Sequence, residues 1–82
     1  MEKIGENIRR IRLLMGYKQQ TIAESLNLSL YYYGQMERGK VPIDQKRIEL
    51  IAQIMNVKVL YLLNFDSLLK LIQQNHFSKI ET

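Results

Sequence analysis

The chain of 82 residues has no cysteine, one histidine and one proline, and each scarcity removes a class of answer. Without cysteine there is no disulfide or thiolate zinc site to support a small core, and nothing calls for an oxidising compartment. His76 lies near the C-terminus with no paired carboxylates to work with it, so acid–base catalysis has no apparatus. Glycine-rich phosphate loops and metal-ligand spacings are also missing, and neither metal nor cofactor is expected. The longest apolar clusters, around Val59–Leu63 and Leu68–Ile72, are far too short to span a bilayer. MEKIGENIRR lacks the apolar run of a signal peptide. No stretch alternates with period two. These absences predict a single cytoplasmic all-α domain with a modest core, and not an enzyme.

The net charge of +4 is small but unevenly spread. Between Arg9 and Arg47 eight basic residues stand against three acids, so that segment carries +5 and the remainder −1. A basic centre suits a polyanion such as a nucleic-acid backbone. Many helical domains are mildly basic, however, so charge alone does not name a partner.

Along the chain, Ile4, Ile8, Ile11 and Met15 form a 3.6-residue stripe that predicts a first helix over about Lys3 to Met15. Gly16 ends it in the left-handed conformation. Lys18 stands where a capping Ser or Thr is wanted and cannot cap, which leaves the next free amides to Gln19 or a neighbour. From Gln19 to Gly39 the sequence QQTIAESLNLSLYYYGQMERG reads as two short helices and a tight turn. Ile22, Ala23 and Leu26 make one apolar stripe, Asn27 tolerates the left-handed stop, and Ser29 can cap the second helix. Helices joined so tightly cross steeply, in the geometry of a DNA-reading helix-turn-helix. A loop with Gly39 and Pro42 follows. Asp44 caps a fourth helix, about Gln45 to Met55, burying Ile48, Ile51, Ala52 and Met55. Asn56 stops it, Val57, Leu60 and Leu63 fit a short fifth helix, and Asp66 or Ser67 starts a sixth that runs to about Asn75. Fraying is expected after Phe77.

IGENIRRIR, QQTIAESLNLS, QMERGK and the IELIAQIMNV…YLL run, in that order, resemble the phage repressor and Cro type of helix-turn-helix domain, the XRE family. The likeness covers about Ile4 to Asn64. It implies an all-α, five-helix repressor-like (lambda repressor-type) fold over residues 1–65, with an additional C-terminal helix and tail over 66–82. It also implies a bacterial or phage regulator, most simply a repressor, that binds double-stranded DNA with helix 29–37 in the major groove. Arg12 and Glu37 occupy positions that resemble an internal ion pair. Gln19 resembles a phosphate contact at the start of helix two. Arg38, the Gly39 amide and Lys40 resemble a second phosphate clamp, the alternative for the two cations being solvated loop charge. Ala23 is small where helices two and three approach.

By family position Ser29, Leu30, Tyr31 and Gln35 face the groove, while Tyr33 and Met36 face the core. Three consecutive tyrosines spread over about 200° of a helix and cannot all read bases. Tyr33 is assigned to the core with its hydroxyl reaching an edge, Tyr31 to the groove, and Tyr32, like Ser29, to the phosphate flank. Gln35 is then the only bidentate reader, favouring adenine, with Leu30 and Tyr31 on thymine methyls and no arginine aimed at guanine. Gly34 costs about 1 kcal/mol in mid-helix. It reflects either close approach to DNA or simple tolerance. In the sixth helix Leu68, Leu69 and Ile72 could close the core, leaving Leu71 and Phe77 exposed. Alternatively Leu68, Leu71 and Ile72 pair with a second copy, so that two recognition helices meet a palindromic operator about 34 Å apart. A separate reading makes the chain a protein-interaction module, such as an antitoxin or anti-repressor, binding a partner through that helix or through helix three. No membrane and no small-molecule ligand are expected.

Overall fold

Four helices of this chain end in the same way. In the computed structural model, which describes residues 3–81 with side chains through residue 74, α1 (Ile4–Met15), α2 (Gln19–Ser25), α3 (Leu30–Glu37) and α4 (Gln45–Met55) are each followed by a left-handed residue. These are Gly16, Asn27, Gly39 and Asn56, with φ of 80°, 60°, 75° and 55°. At α2 the Leu28 N–H donates to the Ala23 carbonyl at 2.9 Å and the Asn27 N–H to that of Glu24 at 3.0 Å. That crossed pair satisfies carbonyls that would otherwise be orphaned and reverses the chain within a few residues. Ser29 then caps α3, its hydroxyl accepting from the Tyr32 N–H, and Asp44 caps α4 through the Arg47 N–H. Lys18 gives α2 no side-chain cap, as expected of it. Two further helices follow, α5 (Val59–Leu63) and α6 (Phe65–Glu81), and no strand occurs among the described residues.

The core is filled from five helices: Ile8 and Ile11 of α1, Ile22 and Ala23 of α2, Tyr33 and Met36 of α3, the four expected residues of α4, and Leu62 of α5. Three expectations are corrected. Met15 is 48 % exposed, together with Leu13 and Leu14, because no helix among the described residues covers the last turn of α1. In α5 the buried residue is Leu62, while Leu60 and Leu63 face solvent. A single turn has too few residues for periodicity to choose its face, and docking on α1 chooses it instead. The Asn7 side-chain amide, buried in α1, donates to the Leu62 carbonyl at 3.0 Å. Finally, α6 starts one residue early, at Phe65, and continues as helix to Glu81, past Asn75 and Phe77. Phe65 and Leu68 pack on the core, and Leu69, Leu71 and Ile72 do not. The side chains of His76 and Phe77 lie outside the described residues.

Candidate nucleic-acid interface

The turn at Asn27 delivers α3 across α2 with Ala23, almost fully buried, at the close approach. Tyr33, Met36 and Glu37 are buried on one side of α3. At about 100° per residue, Tyr31, Gln35 and Arg38 fall together on the opposite side, with Leu30 and Gly34 along one flank and Tyr32 along the other. Tyr31 is 72 % exposed and Leu30 49 %, so the outward stripe is free to meet a partner. Tyr32 is half-buried, with the Arg47 guanidinium of α4 5.9 Å from its ring centre. Tyr33 is wholly buried, and its hydroxyl does not reach an edge. It points toward Arg12 and Glu37 without a hydrogen bond of good geometry. Burial first, and the neighbouring carboxylate second, push its ionisation well above the ordinary phenol range.

The C-terminal end of α3 carries what the sequence left unresolved. Arg38 does not extend away from the helix: its Nε and Nη2 donate to the Gln35 Oε1 at 3.1 and 2.6 Å. Its guanidinium passes over Gly34, where a Cβ would stand 3.3 Å from Nη2 and 3.4 Å from Nη1. An arginine therefore does lie on the outward stripe, since the helix turns residue 38 back above residues 34 and 35. The Gly39 amide, expected at a phosphate, donates to the Met36 carbonyl at 3.1 Å and closes the helix. Lys40 is exposed just beyond it. Lys3, Glu6 and Arg9 of the α1 region line a shallow cleft with Arg38 and Gly39, which brings three cations to this end of α3.

Beneath that surface lies a buried polar frame. Arg12 meets Glu37 through two bonds, Nε to Oε2 at 2.7 Å and Nη2 to Oε1 at 3.2 Å, and its Nη1 donates to the Tyr17 carbonyl at 2.9 Å. The ion pair implied by the resemblance is thus present, bidentate and almost wholly buried. Gln19 has an internal role as well, its Nε2 donating to the Glu37 Oε1 at 3.0 Å. Burial pushes the Glu37 carboxyl up, but hydrogen bonding with Arg12 and Gln19, with the Tyr33 hydroxyl close by, outweighs it and holds the group below the usual carboxylate range. Arg12 is held above its ordinary value chiefly by its bond to Glu37.

Two residues that sequence reasoning missed belong to the same frame. Gly5 presses α1 onto the end of α3 so tightly that a Cβ would overlap the Met36 carbonyl oxygen and lie 2.8 Å from that of Glu37. Asn7, one turn-face away, ties α1 to α5. A glycine in the first turn of a helix, followed by a polar residue on the apolar stripe's edge, was the only available signal. Among the described residues no cluster of side chains suits a metal ion, and no helix is long and apolar enough to cross a membrane.

Comparison with known proteins agrees with this geometry. A family model described as helix-turn-helix matches residues 8–62. The chain is similar to a Bacillus subtilis (strain 168) protein described as an SPbeta prophage-derived uncharacterized HTH-type transcriptional regulator, YonR, at 34 % identity over 59 residues. That alignment covers 72 % of this chain and 55 % of the relative, so the chain spans about half the length of the protein it matches. No solved structure matches.

Proposed function

Since the chain belongs to the XRE-type helix-turn-helix family, we propose that it is a regulator of transcription that binds double-stranded DNA through α3, and not an enzyme. The observation that carries this reading is the two-sidedness of α3. One side is locked into the core by Tyr33, Met36 and Glu37, and the other offers Leu30, Tyr31 and Gln35 to base edges. Around it we assign Gln19, Ser29, Tyr32, Arg38 and Lys40 to the phosphate backbone, the turn at Gly39 carrying the last of them. A repressor acting in the cytoplasm is the simplest form of such a regulator. Duplex binding should weaken about a hundredfold between 50 and 200 mM salt if Arg38 and Lys40 of two protomers each release a counterion. Salt-insensitive binding to a protein, with none to DNA, would instead establish the antitoxin or anti-repressor reading.

We further propose that residues 66–82 serve a homodimer on a palindromic operator. Support comes from α6: Leu71 and Ile72 are 40 % and 45 % exposed, and Leu69 joins them, while Leu68 already packs on its own core. Sedimentation should show a dimer at tens of micromolar that Leu71→Asp dissociates. A monomer indifferent to that substitution would count against it.

A further inference from the structure

Resting on the DNA-binding reading of α3, the geometry points to Arg38 as the residue that sets which base Gln35 reads, by holding the glutamine carbonyl and leaving only its amide N–H groups to face the groove. A glutamine with both ends free matches adenine, accepting from N6 and donating to N7. Here the accepting end is occupied. Arg38 directs two N–H groups at the single oxygen, at 3.1 and 2.6 Å, and these fill both of its lone pairs. What remains outward is a pair of donors. Guanine offers two major-groove acceptors, N7 and O6, to such a pair, whereas adenine sets its own N6 donor against them.

Gly34 completes the arrangement. The guanidinium lies beside its Cα, and a Cβ there would stand 3.3 Å from Nη2 and 3.4 Å from Nη1, so the group would have to give by a few tenths of an ångström. The mid-helix glycine thus leaves Arg38 its present seat between residues 34 and 35. The remaining guanidinium N–H groups stay available to a phosphate, so Arg38 bridges backbone and reader. Arg38 is a positioning residue whose signature is a ratio between bases rather than an affinity.

The test uses the full chain and duplexes carrying a site selected from a random library, each half-site position varied through the four bases. Gln35→Ala locates the position read by Gln35, as the one whose preference it abolishes. There the wild type should favour guanine over adenine by about tenfold, and Arg38→Met should reverse the order. Loss of a phosphate contact weakens all four duplexes alike and cannot move that ratio. Because Arg38 is exposed, an unchanged helical spectrum and melting temperature will show that the variant folds. An adenine preference in the wild type, or a ratio unmoved by Arg38→Met, overturns the inference while leaving DNA binding in place. A wild type that binds no duplex selectively overturns the DNA reading and this inference with it.

Discussion

Gly5→Ala should lower the melting temperature by roughly 10 °C, although alanine is the better helix former. The new Cβ would run into the Met36 and Glu37 carbonyls, which are backbone and cannot swing aside. Overpacking of this kind costs about 3 kcal/mol, at the upper end of its usual range, and helix propensity returns about 1. The net of about 2 kcal/mol is a large share of the total for so small a domain, of order 4–12 kcal/mol. Gly34→Ala is the internal control, because the three atoms nearest its Cβ belong to the flexible end of Arg38. Its melting temperature should stay level or rise slightly. Thermal unfolding of the two variants side by side decides the matter: equal losses would mean that the α1–α3 contact is not what selects glycine at position 5. The same contact fixes the angle of α3, so at temperatures where Gly5→Ala remains folded its duplex binding should still be weaker than that of the wild type.

The contrast between these glycines shows what the sequence could and could not tell. Helix ends were legible because they are decided within a few residues. Asn27, Asn56 and Gly16 stop their helices, and Ser29 and Asp44 start theirs, by chemistry that is complete locally. The buried face of α4 was legible because three turns give periodicity enough evidence. Gly5, Asn7 and the face of α5 were not, because each is set by a partner 30 to 55 positions away whose arrival no local pattern announces. Arg38 was only half legible. The resemblance put it in a phosphate clamp just past the helix, and its bond to Gln35 was not foreseen because the C-cap residue still points back along the helix. The Arg12–Glu37 pair came from the family resemblance, and no spacing rule would have joined residues 25 apart.

Breaking that pair should be the most damaging change of all. Arg12→Ala or Glu37→Ala alone strands a buried charge and is expected to cost about 3–5 kcal/mol, enough to leave much of the population unfolded at 37 °C. Arg12→Met with Glu37→Leu removes both charges, leaves only the neutral Gln19 amide and Tyr17 carbonyl without their partners, and should cost less than either single change. Denaturant titrations of the singles and the double give the coupling directly, and additive losses would show that the two side chains do not depend on each other. Acid probes the same carboxylate in a second way. The folded carboxyl of Glu37 lies below its ordinary value of 4.5. Its contribution is therefore complete above about pH 4.5 and is lost as the pH falls through the folded value. Arg12, held above its already high ordinary value chiefly by its bond to Glu37, stays charged throughout and adds no slope in that range. Stability of the wild type should thus decline below pH 4.5, and Glu37→Gln, less stable at neutral pH, should decline less steeply. Because Glu37 also receives the Gln19 amide at the start of α2, its protonation loosens the join between α2 and the end of α3 that aims the outward stripe. Duplex binding should weaken over the same acid range before the helical signal is lost.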